Sequence, residues 1–516
     1  MSNASPHYKI ILAAIILVSA FLSLLRFNSF PVGAFPDDAH YIVLAESISQ
    51  GEGYRLINFP FAPIDLAFPP GWPILLSPLV ALLPGNYSIL KLLSFVFWLA
   101  SIFLTYRLIA RRFGSPYLEI SLALVALHPA LIGFSGMVMS EMAYLFFSLI
   151  TLILFESWRK QEKSNNWLLV VVTILAIYTQ LIRAVGLAIL ISLVFYLLFS
   201  RRFKQLGIVL VIVAIGMIPQ LWLYSQTGGS LISSGYQTQA LSGTFTAKLT
   251  HMGENVQAYG DQMISGMLIP VFGPPDTQGL HNSRGTGAYT ILNVIVLLLI
   301  GLGFVSSLRR FHICDLYVGF YFLGILSFWN PDAGGAQHRF LIPIVPLLYF
   351  YLIQAMKWLT LRIFRQDEKR AGILVTAMAG LVIMFSLSAN IMDCYHPMRS
   401  RMTDLSIGAD WISKNSPEES IVMTKNPVSV YLYARRKTIP YPFEKQDVEK
   451  YIATSGVDYI IVSPGLKFPQ GSQGANLDQF IQTRMIPLVE SKPERFKVAY
   501  TNAVHQVTVY ECSNIR

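Results

Sequence analysis

Residues 88–112 read SILKLLSFVFWLASIFLTYRLIARR. Up to Ile109 the run carries only two charges, Lys91 and Arg107. Its length matches the roughly 20 residues that a helix needs to cross the hydrocarbon core of a bilayer. Arg107, Arg111 and Arg112 close it, and basic clusters of this kind mark the cytoplasmic side of a membrane protein.

Outward from this run the same pattern recurs. Comparable apolar stretches occupy about 9–27, 117–132, 139–158, 167–181, 185–199, 206–224, 289–307, 313–328, 340–358 and 372–392. With 88–109 that makes about eleven predicted spans, of which 167–181 and 185–199 are short. The composition agrees: 53% of residues are apolar and 13% charged, with a mean hydropathy of +0.51. A soluble chain carries about 25% charged residues, so this one must hide apolar surface in lipid. The first run lacks a small-residue cleavage site and is followed by Arg26, which predicts a retained span rather than a cleaved signal.

The net charge of +10 does not indicate nucleic acid, because the basic residues sit in short clusters between apolar runs and no aromatic-basic module accompanies them. Arg107, Arg111 and Arg112 follow the second run; Arg159, Lys160 and Lys163 follow the fourth. Arg201, Arg202 and Lys204 follow the sixth, and Arg309 and Arg310 the eighth. Lys357, Arg362, Arg365, Lys369 and Arg370 follow the tenth. Every cluster therefore falls after an even-numbered run, which places all of them on one side. This parity predicts a cytoplasmic N-terminus, a transmembrane unit over 1–392, and outside segments at 28–87 and 225–288. The tail, 393–516, then forms a soluble extracytoplasmic domain. Within it 421–425 and 459–463 read as buried strands, 444–454 as a helix and 504–511 as a last strand, which together suggest a small α/β domain. The fold class predicted is a polytopic α-helical membrane protein with a C-terminal extracytoplasmic α/β domain. Cys314 lies in a span; Cys394 and Cys512 face outside, and no spacing pattern supports a bridge between them.

Chemistry concentrates at the outer rim. The first outside segment contains FPDDAHYIVLAESISQGEGY at 35–54 and FPPGWP at 68–73. Tyr41, Leu44, Ala45 and Ile48 have helical spacing, and such a helix is expected to lie along the membrane surface as an amphipathic segment. Asp37 and Asp38 stand at its start. One of them serves as an N-cap in the plainest reading, but a cap needs only one carboxylate. Glu141 opens the fourth run in SGMVMSEMAYLFF, where an ionisable group usually faces the bundle interior or a wet cavity. Arg183, in TQLIRAVGL, and Arg339 beside His338, in AQHRFLIPIVP, lie on the side where the charge rule does not put arginine. Each alone reads as a headgroup anchor. Together with the acids they suit a phosphate-linked lipid and a hydroxyl acceptor, since guanidinium recognises phosphate with a planar fork.

On these residues the chain resembles the GT-C superfamily of membrane glycosyltransferases, which use polyprenyl-phosphate-linked sugars. It is most similar to the branch of protein O-mannosyltransferases and aminoarabinose transferases. The matching features are Asp37-Asp38, Tyr41 with Ala45, Gly51-Glu52-Gly53-Tyr54, Pro69-Pro70-Gly71, Glu141, the Arg183 turn and Arg339 to Pro343. The resemblance implies Asp37 as catalytic carboxylate, with Asp38 and Glu141 as further acidic site residues. It implies Arg183, Arg339 and His338 around the donor phosphate, and His40, Tyr41, Tyr54 and Pro70 against substrate. A lysine that aminoarabinose transferases carry just before Pro-Pro gives way here to Pro69, preceded by Phe68, which weakens an assignment to lipid A modification.

The expected activity is inverting transfer of a sugar from a polyprenyl-phosphate donor to a lipid, glycan or protein hydroxyl at the outer face of a bacterial plasma membrane, with Asp37 as general base. A transporter or flippase of lipid-linked sugars is the alternative, but it would favour charges at mid-membrane rather than at the rim. A receptor or assembly scaffold leaves the acidic first segment unexplained. No cofactor is required. A divalent cation on Asp37, Asp38, Glu141, His40 and His338 is an open alternative without dedicated ligand spacing. No nucleic-acid partner is expected.

Overall fold

In lipid every backbone amide must find its partner within the segment, so the apolar runs have little choice but to be helices. The computed structural model describes residues 6–161, 166–226, 244–270, 287–309, 311–328, 335–395, 403–442, 447–463 and 473–513. Lys163, Arg310, Glu444 and much of 225–288 lie outside the described residues. The first half comprises α1 (Pro6–Leu25), α2 (Pro36–Ser49), α3 (Gly71–Leu82), α4 (Tyr87–Ile109), α5 (Tyr117–Ala126) and α6 (Pro129–Ser135), then α7 (Glu141–Arg159), α8 (Asn166–Ile182) and α9 (Leu187–Phe199). Next come α10 (Phe203–Gly216), α11 (Ile218–Ser225), α12 (Phe245–Ala258), α13 (Ile264–Leu268), α14 (Gly287–Leu308), α15 (Ile313–Leu326), α16 (Val345–Ile363) and α17 (Glu368–Tyr395).

Among the described residues six helical stretches are long and apolar enough to cross a membrane, and α5 with α6 forms a seventh, bent by 51°. Pro129 opens α6 and, lacking an amide proton, breaks the ladder there. Four shorter apolar helices match the remaining predicted spans, so each run read from the sequence falls on a helix. The chain is an integral, multi-pass membrane protein. The helices facing lipid expose large side chains, as at Leu210, Ile215 and Leu298; α7 and α16 are mostly buried in the centre.

Two features of the first outside segment differ from expectation. Gly71–Leu82 is a helix, too short to register as a span and interrupted by Pro78. And α2 does not present the solvent-facing side of an amphipathic segment. Nine of its residues, Asp38, Ala39 and Tyr41 through Ser47, are buried. The physical reason is that α3 covers one side and the tail another, with the polar Asp38 and Glu46 taken up by Gly33 and Arg435. Gly71 lets α3 touch α8, because a Cβ there would stand 2.6 Å from the Leu181 carbonyl carbon, and Tyr178 Oη donates to Gly71 O at 2.9 Å.

The tail adds α18 (Thr403–Asn415), α19 (Pro427–Ala434), α20 (Val448–Thr454), α21 (Gln473–Phe480) and α22 (Ile486–Ser491) around a five-stranded sheet. Its strands are β1 (Ile421–Thr424), β2 (Lys437–Pro440), β3 (Tyr459–Val462), β4 (Phe496–Asn502) and β5 (Val507–Cys512), in the order β2-β1-β3-β5-β4. β2, β1 and β3 run parallel, and β5 and β4 complete the sheet antiparallel. Alternation along the strands divides the core: Val422 and Ile461 face one apolar cluster with α18, while Met423 and Ile460 face another. β2 forms one edge, and the segment between α2 and α3 docks on it: Thr438 N donates to Asn58 O at 2.7 Å and Lys437 Nζ to Ile57 O at 2.7 Å. All three cysteines are free thiols.

Helix contacts in lipid depend on close backbone approach at small residues. A Cβ on Gly303 of α14 would sit 2.0 Å from Tyr351 O of α16. Gly303→Ala should therefore destabilise the protein by about 1–3 kcal/mol, the usual cost of overpacking, and lower its thermal midpoint in detergent. Gly207→Ala, where a Cβ meets nothing within 4 Å, should not; equal midpoints for the two variants would contradict the packing assigned here.

Candidate active site

Four chain reversals meet at one end of the bundle and bring the rim charges together. Asp37 sits in the first turn of α2, which Pro36 starts with its fixed φ. Glu141 is the first residue of α7. Arg183 has extended backbone, φ −147° and ψ 136°, between α8 and the short turn Ala184–Gly186. Gly186 makes that reversal tight, since a Cβ there would lie 2.6 Å from Gln180 Cα. Arg339 lies in the 3-10 turn His338–Ile344, which precedes Pro346 at the start of α16.

The charges pair across these elements. Arg339 Nη1 bonds Asp37 Oδ2, and Arg183 Nη1 lies 2.7 Å from Glu141 Oε1. The second pair is the deeper, with Glu141 at 0% and Arg183 at 13% side-chain exposure. The first remains more open, at 20% for Asp37 and 24% for Arg339. Arg183 also donates to Ser140 Oγ at 3.0 Å, and the same hydroxyl lies 3.1 Å from Tyr41 Oη. Arg339 Nε donates to Gln337 Oε1 at 2.9 Å. The Phe340 ring lies against both guanidiniums, with centroid distances of 5.9 Å to Arg183 and 5.6 Å to Arg339, where its electron-rich face attracts cations. Tyr321 Oη fixes the Phe340 backbone by donating to its carbonyl at 2.6 Å.

These groups form one end of a cavity of ≈ 340 Å³. Asp37, Tyr41, Arg183, Tyr321 and Arg339 supply its polar end. Its other walls are apolar: Val185, Leu187, Ala188 and Ile191 from the α9 side, and Phe320, Leu323, Ile325 and Phe328 from the α15 side. Phe68 and Pro69 close it beneath α2. An elongated apolar chain ending in an anion matches both halves of such a lining.

The structure brings Asp37, Tyr41, Glu141, Arg183 and Arg339 together and leaves the other sequence candidates at its margin. Asp38 points away from the cavity and accepts Gly33 N–H through both carboxylate oxygens, at 3.0 and 3.1 Å. Burial pushes its carboxyl well above the ordinary range, against the hydrogen bonds from Gly33 and Ala39 that favour the ionised form. His40 Nδ1 lies 2.8 Å from Pro36 O, and its ring stacks on Phe68 at 4.9 Å. Tyr54 Oη donates to Phe68 O at 2.8 Å, and Pro70 precedes α3 as its N-cap; both hold the loop that carries Phe68 and Pro69. His338 begins the Arg339 turn and is not among the cavity's lining residues. Sequence reading missed Tyr321, Phe340, Ser140 and Gln337. The aromatic next to Arg339 was the one available signal.

The acidic candidates are engaged as follows. Asp37 and Glu141 each face a guanidinium, Asp38 is occupied by Gly33, and no three metal-binding side chains cluster among the described residues.

Removing one member of a buried pair leaves an uncompensated charge, at about 3–5 kcal/mol. Arg183→Met alone should lower thermal stability by that order, and adding Glu141→Gln should recover most of it. Additive losses in the double variant, measured as thermal midpoints in one detergent, would contradict the pairing.

No family model and no curated protein sequence matches the chain. Solved structures do. ArnT from Cupriavidus metallidurans bound to undecaprenyl phosphate superposes with a TM-score of 0.59 at 13% identity, over 99% of each chain. The oligosaccharyltransferase of Archaeoglobus fulgidus, in complex with zinc and sulfate, gives 0.58 at 13% identity, over 96% of this chain and 73% of that one. The Archaeoglobus fulgidus oligosaccharyltransferase AglB, in complex with an inhibitory peptide and a dolichol-phosphate, gives 0.54 at 14% identity, over 99% and 75%. The chain therefore shares the fold of ArnT and of the Archaeoglobus fulgidus oligosaccharyltransferase.

Proposed function

We propose that the chain is a membrane glycosyltransferase that moves a sugar from a polyprenyl-phosphate donor to a hydroxyl of a lipid, glycan or protein. The observation that carries this reading is the cavity whose apolar walls lead to two guanidiniums and one partly open carboxylate. The structural neighbours favour the same ligand class, since ArnT was solved with undecaprenyl phosphate and AglB with a dolichol-phosphate. In this reading the reaction takes place at the outer face of the plasma membrane, with a cytoplasmic N-terminus and the 393–516 domain outside beside the 1–392 transmembrane unit, an orientation that the basic clusters support.

In this reading the polyprenyl chain lies between α9 and α15 and its phosphate meets Arg183 and Arg339. Arg183, held by Glu141 and Ser140, is the fixed donor. Arg339 spans the phosphate and Asp37, so it orients the carboxylate while presenting its remaining N–H groups to the leaving oxygen. The acceptor hydroxyl attacks the anomeric carbon, and its proton passes to Asp37. The bond from that carbon to the phosphate oxygen breaks, with its electron pair leaving on the phosphate. The products are a glycoside of inverted configuration and polyprenyl phosphate. The leaving phosphate needs no proton, so one base suffices, while fixed guanidiniums in an apolar wall stabilise the developing charge. No step is routed through a metal.

Purified protein in lipid should turn over a polyprenyl-phosphate sugar. Asp37→Asn should lower that turnover by about 10²–10⁴-fold, the range for loss of a general base, and Arg339→Met should weaken both turnover and donor affinity. Full turnover by a folded Asp37→Asn would refute the base. Transbilayer movement of lipid-linked sugar with no transfer would replace the reading with a flippase.

A further inference from the structure

The helix that carries Asp37 has no cap of its own. Phe35 occupies its N-cap position without a side-chain hydrogen bond to the first turn, and residues 26–35 before it form no helix or strand. What holds this turn comes from the far end of the sequence. Gly33 gives its N–H to Asp38, the neighbour of Asp37, and its carbonyl accepts from Ser429 Oγ at 3.1 Å. The adjoining Val32 carbonyl accepts from Tyr433 Oη at 2.5 Å. Gly33 adopts φ +87°, a hinge conformation that an ordinary side chain disfavours.

Ser429 and Tyr433 both lie on α19, the tail helix packed against α2. At its end Arg435, in the left-handed conformation at φ 53°, reaches the other end of α2. Its Nη1 lies 2.8 Å from Glu46 Oε1, and its Nη2 donates to Tyr87 Oη at 3.0 Å. Glu46 is 4% exposed, so its pairing with Arg435 is not a loose surface contact. One tail helix thus holds the residues just before α2 and, through Arg435, its later turns at Glu46, about 12 Å along the helix from Asp38 by helical rise. Docking alone does not require this, because Lys437 and Thr438 already bind the 57–58 backbone.

We propose that the tail domain sets the position of the Asp37 carboxylate, with Ser429, Tyr433 and Arg435 as positioning residues for transfer. The inference rests on the reading of Asp37 as base. Catalytic groups tolerate little displacement, a shift of about 1 Å costing on the order of 10²-fold, and the Val32–Gly33 hinge lies at the point where α2 would swing.

The test is the full-length double variant Ser429→Ala/Tyr433→Phe in lipid, which removes two hydroxyls and leaves the β2 docking intact. Its kcat should fall about 10- to 100-fold with the donor KM unchanged, and amide exchange over 33–41 should rise. Ser429→Thr, which keeps the hydroxyl, should retain wild-type kcat. So should Glu449→Gln, on the tail beside Lys492 and Arg495. An unchanged kcat in the double variant, or a kcat loss with unchanged exchange at 33–41, overturns the proposal. Amide exchange needs no activity. If wild type turned over no donor, the glycosyltransferase reading would fail, while exchange would still decide whether the tail holds the turn.

Discussion

Two guanidiniums and two carboxylates at one end of an apolar bundle have to face one another, and the arrangement of the site follows from that requirement. Isolated charges in such surroundings cost several kcal/mol each, and only close pairing offsets the cost. Arg183 with Glu141 joins the turn after α8 to the start of α7, and Arg339 with Asp37 joins the turn before α16 to α2. The pairs share a wall, because Phe340 lies against both arginines. In the deeper pair Glu141 is fully buried and Arg183 alone reaches the cavity. The shallower one keeps part of its carboxylate and guanidinium exposed to the cavity, which is where a reacting group has to be.

Around this centre the two halves of the chain have complementary tasks. The transmembrane helices supply apolar walls and fixed charges. Residues 28–87, backed by the tail, supply Asp37, the proposed base, which is not carried by one of the long apolar helices. Asp37 stands on a helix packed between α3 and α19. Such a helix needs support from every side, and it receives it through Gly33, Glu46 and the 57–58 backbone. The tail sheet, with an apolar cluster on each face, gives that support a rigid base.

Much of this was legible in the sequence because a bilayer imposes length and charge rules that single residues reveal. The apolar runs gave the helices, and the rim positions of Asp37, Glu141, Arg183 and Arg339 singled out the residues that meet. Other features depend on contacts far apart in the chain. Asp38 looked like a partner of Asp37, but Gly33 takes its carboxylate. α2 looked amphipathic from four apolar positions, yet α19, almost 400 residues later in the chain, covers it. α3 is shorter than a span and carries Pro78, so hydropathy passes over it. β2 is a four-residue edge strand, and β4 buries only its first residue; neither shows the alternation that marks a strand. Tyr321 is one of two tyrosines in the apolar run 313–328, and nothing local distinguishes it from Tyr317.

The most direct test of the central claim is a structure of the protein in lipid with undecaprenyl phosphate. The arrangement described here predicts the phosphate within hydrogen-bond distance of both Arg183 and Arg339, and the prenyl chain between α9 and α15. A phosphate bound elsewhere, with the two arginines still engaged only by Glu141 and Asp37, would contradict it.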